Sequence, residues 1–136
     1  MTILIVEDNL AHQKITEYIL KRHCGEAQYY VVRDGQEALD YLCRKNIYTD
    51  VTRYPLPDLI LLDFNLPKRD GREVLKVIKN DPTLQEIPIV IVSTSDREED
   101  ITYAFQTGAI AYISKSRGFD KFTAELAGVA KYARVE

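Results

Sequence analysis

Asp58-Leu59-Ile60-Leu61-Leu62-Asp63 is an apolar run without alternation, closed at each end by an aspartate. A half-buried strand alternates apolar and polar residues. A run that does not alternate is a strand covered on both faces, as in a parallel sheet between two helical layers. Outward from this centre, short apolar runs trade places with helical periodicity along the whole chain. Upstream, Thr2 to Val6 is a run of β-formers. From Asn9, the positions Ala11, Ile15, Tyr18 and Ile19 recur at helical spacing and predict the inner face of a helix reaching about His23. Gln28 to Val32 reads as a second strand, Asp34-Gly35 turns the chain, and Ala38, Leu39 and Leu42 line a second helix. Lys45 to Pro57, with Tyr48, Tyr54 and two prolines, is longer than the usual connection of ~2–6 residues, and is expected to be a place where something is recognised.

Downstream, Val74, Leu75 and Ile78 mark a third helix, stopped by Asn80-Asp81-Pro82. Ile87 to Val92 is the fourth strand. Ser95 with Glu98, or Asp96 with Glu99, offers a capping box for a fourth helix, whose inner face (Ile101, Ala104, Phe105) is thin. Ile110 to Ser114 is the fifth strand, and Phe122, Leu126, Val129, Ala130 and Ala133 form one last amphipathic stripe. Strands and helices in strict alternation predict an α/β fold, a five-stranded parallel sheet with helices on both faces. Right-handed crossovers favour strand order 2-1-3-4-5, with a topological switch point between the first and third strands.

The chain has 136 residues, 46% of them hydrophobic and 29% charged, which suits one ordinary domain over 1–136 with a core and no staples. Its net charge of −3 argues against a nucleic-acid binder relying on a basic surface. No apolar run approaches the ~20 residues of a membrane span, and Met1-Thr2-Ile3-Leu4-Ile5 lacks the flanks of a secretory signal. The expected setting is therefore the cytoplasm, with neither membrane nor nucleic acid as partner. Cys24 and Cys43 form no metal motif and are expected as buried or half-buried thiols. His12 and His23 lie more than about 10 Å apart along one helix, too far to share a metal, and are expected as exposed helix residues.

In such a sheet, ligands bind beyond the carboxyl ends of the strands. Glu7-Asp8 follows the first strand, Asp63 the third, Ser93-Thr94 the fourth and Lys115 the fifth. Taken singly, each has a plain structural reading: helix-end acids, a strand cap, a solvated lysine, hydroxyls that satisfy free backbone groups. Their convergence on one rim is much harder to assign to chance. Two carboxylates ~5 Å apart repel by about 3 kcal/mol at an effective dielectric near 20, so three together call for a cation. Hard oxygen ligands with room for water suit Mg²⁺. A divalent ion and a lysine beside an aspartate are what phosphoryl transfer to a carboxylate requires, the product being an aspartyl phosphate.

Ile5-Val6-Glu7-Asp8-Asn9, Leu61-Leu62-Asp63-Phe64-Asn65-Leu66-Pro67 with Asp70-Gly71, the Ser93-Thr94 pair and Tyr112-Ile113-Ser114-Lys115 together resemble the receiver domain of two-component response regulators, a CheY-like, flavodoxin-like fold. The resemblance runs from about Thr2 to Tyr132. It implies Asp63 as phosphoacceptor, Asp8 as a direct Mg²⁺ ligand, Glu7 as a ligand directly or through water, and the Asn65 carbonyl as a further ligand. It makes Lys115 the phosphoryl contact, Ser93 the switch hydroxyl, Tyr112 the ring that follows it, and Thr94 a neighbour shaping access. Receivers commonly carry proline after this lysine, often in a cis peptide, whereas Ser116 follows here. A non-proline cis bond costs ~2.5–4 kcal/mol, so a trans, locally different loop is expected.

Lys115-Ser116-Arg117, the tyrosine-bearing lead-in to the third strand and Asp70-Gly71-Arg72-Glu73-Val74-Leu75 resemble single-domain receivers paired with bacterial phytochromes. This implies a sensor histidine kinase or phosphotransfer protein as donor, a separate downstream protein or a second copy as recipient, and output through the fourth helix, fifth strand and fifth helix. Two alternatives stay open. An aspartate-nucleophile phosphohydrolase wants a second aspartate two residues after the first, where Asn65 stands. A receiver fold serving only as a binding module would not need the full acidic set.

Overall fold

The computed structural model describes residues 1–134. Its elements are β1 (Thr2–Val6), α1 (Leu10–His23), β2 (Gln28–Val32), α2 (Gly35–Leu42), β3 (Leu59–Leu62), α3 (Gly71–Lys79), β4 (Ile89–Ser93), α4 (Glu98–Thr107), β5 (Ala111–Ser114) and α5 (Phe119–Ala127). Short 3-10 turns cover Asn46–Thr49 and Val129–Tyr132. The strands form one parallel sheet in the order β2-β1-β3-β4-β5. This is the order expected, with β1 and β3 adjacent at the switch point.

Every residue of β1, β3 and β4 is buried. Successive side chains point to opposite faces. Leu4, Val6, Ile60, Leu62, Ile89 and Ile91 therefore join the core under α2, α3 and α4. Ile3, Ile5, Leu59, Leu61, Val90 and Val92 join the core against α1 and α5. β2, at the edge, is only partly covered. Three of the helices that follow a strand start with a side-chain cap. Asn9 accepts from the His12 N–H, Asp34 from Glu37 and Asp70 from Arg72.

Four expectations need correction. In α1 the buried residues are Gln13, Thr16, Ile19 and Leu20, while Ala11, Ile15 and Tyr18 are exposed. The helix is rolled toward the sheet end because Gln13 Nε2 donates to the Glu7 carbonyl at 2.7 Å. Neither capping box forms at α4. The helix starts at Glu98 after Arg97, which gives no side-chain cap, and Ser95 Oγ donates instead to Asp100 Oδ2 at 2.5 Å. The stripe from Phe122 to Ala133 is broken at Gly128, although Phe122, Leu126 and Val129 remain buried. Cys24 is half-buried as expected, but Cys43 is exposed at the end of α2, and both thiols are free.

Residues 45–57 are held by aromatic packing. Tyr48 is buried, its ring 4.8 Å from Tyr54 and 5.0 Å from Tyr41, and its hydroxyl donates to Glu37. Tyr41 donates to the Pro55 carbonyl, and Tyr30 completes the cluster from β2. The tyrosines of this segment thus turn inward.

Candidate functional site

β1 ends into Glu7 and Asp8, and β3 into Asp63, on neighbouring strands at the switch point. Carboxylate oxygens of Glu7, Asp8 and Asp63 all lie within 4.8 Å of one another. Glu7 and Asp63 are buried and Asp8 is exposed, so the cluster opens to water on one side only. The Asp63 N–H donates to the Val6 carbonyl, and Asp63 Oδ1 accepts from the Asn65 N–H at 3.0 Å. Glu7 is fixed twice, by the Asn9 N–H on its Oε2 and by Gln13 on its carbonyl.

Lys115 reaches this cluster from the end of β5, where its N–H donates to the Ser93 carbonyl. Its ammonium donates to Asp63 Oδ2 at 3.0 Å and to Glu7 Oε1. With its side chain 7% exposed, this lysine is inside the site rather than solvated. Burial pushes the Glu7 carboxyl above its usual range, and the Lys115 ammonium opposes that rise. The lysine leaves two of the three formal negative charges unbalanced, which is the charge of one divalent cation. Oxygen donors only, with one face wet, are the donor set of a hard cation.

The hydroxyls sit one strand further along. Ser93 is buried at the end of β4, and its Oγ accepts from the Ser95 N–H at 3.2 Å. Thr94 is exposed, its Oγ1 3.5 Å from Asn65 Nδ2. Tyr112 is half-buried, and its hydroxyl donates to the Ser95 carbonyl at 2.7 Å, which ties it to the same β4–α4 segment as Ser93. The Lys115–Ser116 peptide is trans.

Two groups at this rim were not read from the sequence as part of the site. His12, expected exposed, is half-buried with Nδ1 3.1 Å from Lys115 Nζ and 3.7 Å from Glu7 Oε1. Burial, then the Lys115 charge, push its imidazole below the usual range. The second group begins at Ser95 and runs to buried Asp100, which accepts from Arg72 of α3 and from Arg97. The Arg72 guanidinium holds the Asp100 carboxyl far below the usual carboxylate range, with Ser95 adding to the effect.

A doubly wound parallel sheet with a carboxylate trio and a lysine gathered at its switch point marks out a class of α/β proteins whose rim offers the donor set of a hard cation. Within that class, residues 3–127 match the response regulator receiver domain, and the chain belongs to that family. It is 36% identical over 130 residues to the response regulator Rcp1 of Synechocystis, covering 96% of this chain and 86% of that protein. The Mn²⁺-bound structure of Rcp1 superimposes with a TM-score of 0.86, covering 96% and 92% of the two chains. The phosphorylated cyanobacterial phytochrome response regulator RcpA is similarly close, at 40% identity and TM-score 0.87 over 97% and 92%. The bacteriophytochrome response regulator RtBRR follows at 36% identity and 0.78, over 93% and 77%. Receivers of this kind are two-component signalling proteins, and no helix among the described residues is long and apolar enough to cross a membrane.

Proposed function

We propose that this receiver takes a phosphoryl group from the phosphohistidine of a sensor kinase or phosphotransfer protein onto Asp63. The observation that carries the reading is the buried Asp63 carboxylate, within 4.8 Å of Glu7 and Asp8 oxygens and bonded to Lys115. An Asp63 oxygen forms the new O–P bond as the P–N bond of the donor breaks and its imidazole leaves. Asp8, Asp63 and the Asn65 carbonyl would hold Mg²⁺, with Glu7 acting directly or through water. When bound, the ion supplies charge neutralisation and alignment of the phosphoryl oxygens. Lys115 meets another phosphoryl oxygen, Ser93 turns to bond a third, and Thr94 with Asn65 borders the approach of the water that later cleaves the O–P bond.

The phytochrome response regulators among its relatives support a phytochrome-type kinase as donor. We assign the chain one receiver domain acting in the cytoplasm, its signal read by a second copy or another protein. Its catalysis is confined to its own phosphorylation and dephosphorylation. A phosphohydrolase is disfavoured, because the Asn65 amide cannot shuttle the leaving-group proton.

Incubation with acetyl phosphate and Mg²⁺ is expected to give an acid-stable, base-labile adduct that is absent in Asp63→Asn. A label that persists in that variant overturns the acceptor assignment, and turnover of many external phosphate esters would favour the hydrolase.

A further inference from the structure

A lysine ammonium has three N–H groups to place and no lone pair. In Lys115 two go to the carboxylates of Glu7 and Asp63, and the third faces His12 Nδ1 at 3.1 Å. An ammonium only donates, so Nδ1 is the acceptor and the ring proton belongs on Nε2. We infer that His12 is a positioning residue for Lys115, completing the shell of acceptors that keeps the ammonium over Asp63. The role rests on the reading of Asp63 as phosphoacceptor and adds to it a residue from a different element.

The geometry of α1 makes this contact a built one. His12 follows the Asn9 cap in the first turn, and its N–H donates to Asn9 Oδ1 at 3.0 Å. Side chains tilt toward the N-terminus of their helix, so a first-turn residue overhangs the end of the strand that precedes it. Here that strand end is Glu7-Asp8. The same helix start thus fixes Glu7, through the Asn9 N–H and Gln13, and sets the imidazole beside the lysine.

A neutral acceptor is suited to this place. It occupies the third N–H without adding a fourth negative charge to the carboxylate trio, and it leaves Lys115 free to exchange Asp63 Oδ2 for a phosphoryl oxygen. Without it, the third N–H turns to solvent and the long stem regains its rotamers. His12 and Lys115 also line one small cavity with Ile15, Phe119 and Phe122, so the imidazole edges the way in to the lysine.

The test compares His12→Leu, which removes the acceptor, with His12→Asn, which returns an oxygen at the δ position. With acetyl phosphate, an Asp63 oxygen forms the O–P bond as the P–O bond to acetate breaks and acetate leaves. The labelling rate at saturating acetyl phosphate is expected to fall about five- to tenfold in His12→Leu and to recover to within about twofold of wild type in His12→Asn. By ¹⁵N NMR of the unphosphorylated protein, wild type should show the Nε2–H tautomer of His12 and an exchange-protected Lys115 ammonium. The ammonium signal should broaden away in the leucine variant only. Wild-type labelling in His12→Leu, an Nδ1–H tautomer, or no rescue by asparagine overturns the inference. A wild-type protein that takes no label, or a label that survives Asp63→Asn, overturns the underlying phosphoacceptor reading instead.

Discussion

At Gly71 an added Cβ would stand 2.1 Å from the Asp63 carbonyl oxygen and 2.6 Å from the Phe64 Cα. The start of α3 is pressed against the backbone that presents the acceptor, and the Gly71 N–H donates to the Phe64 carbonyl at 2.9 Å. Backbone cannot move aside as a flexible side chain does, so Gly71→Ala is expected to cost about 3 kcal/mol or more, the upper end for overpacking. Urea unfolding checks it, and a wild-type midpoint would mean the two segments are not in contact. The same substitution should slow acetyl phosphate labelling, since Asp63 must shift with its peptide. Asp70-Gly71 is readable in the sequence as a motif, yet the clash that demands glycine exists only once α3 is laid on β3. The carboxylates and Lys115 were legible because strand ends converge whatever the loops do. His12 was not, because hydropathy shows which residues are apolar and says nothing of which first-turn side chain leans back over a strand end.

Among the elements, α3 and α4 are fastened by a buried carboxylate. Asp100 accepts from Arg72 Nε at 2.9 Å, from Ser95 Oγ and from Arg97, while the Arg72 guanidinium also donates to Asp70 and lies 4.9 Å over the Phe64 ring. Ser95 in turn gives its N–H to Ser93 Oγ and accepts from Tyr112 on its carbonyl, so the anchor of α4 and the Ser93 hydroxyl meet at one residue. Asp100→Asn is expected to destabilise the protein by about 1.5–3 kcal/mol at neutral pH, the range for hydrogen bonds to charged groups. The folded-state pKa of Asp100 is depressed, so its contribution is complete above the unfolded value near ~4 and is lost as pH falls below that. The stability gap between wild type and Asp100→Asn should therefore narrow from pH 4 downward in urea titrations, and a constant gap would refute the pairing. This fastening was out of reach of a linear reading, in which Ser95 and Glu98 looked like a capping box. A serine near a helix start serves its own helix or a buried acid in the next turn, and only packing decides. The sheet order was legible, because period and length distinguish strands covered on both faces from helices. The face of α1 was not, because polar Gln13 and Thr16 are buried, Gln13 on the Glu7 carbonyl, while apolar Ile15 and Tyr18 face outward.

At the scale of the whole molecule, two groups of exposed apolar side chains among the described residues flank grooves on its surface. Ile15, Tyr18 and Phe119 flank a groove between α1 and α5 beside His12 and Lys115, and on the proposed reading a protein donor delivering a phosphoryl group to Asp63 would dock over it. Tyr18→Glu is expected to slow transfer from a phosphorylated histidine kinase severalfold while leaving acetyl phosphate labelling unchanged, since the small donor needs no surface. Equal loss with both donors would remove the groove from the docking reaction. Phe105 and Ile110 lie on the opposite flank, around a groove bordered by Tyr112, Glu125, Lys131 and Tyr132. This is the α4–β5–α5 surface, and Tyr112 links it to the segment that holds Ser93. α4 buries only Asp100 and Ala104 fully, and poorly packed elements reorganise at low cost. A phosphoryl group on Asp63 biases such an equilibrium only as far as some contact differs between its two states, and on the proposed reading the Ser93 hydroxyl supplies that contact. Ser93→Ala should therefore accept the label at Asp63 at close to the wild-type rate yet lose phosphorylation-dependent association, measured by sedimentation of labelled and unlabelled protein. Phe105→Glu should lose the association too, with labelling and Ser93 intact. Association that grows on labelling to the same extent in Ser93→Ala as in wild type would take the switch away from Ser93, and undiminished association in Phe105→Glu would move the output surface elsewhere on the molecule.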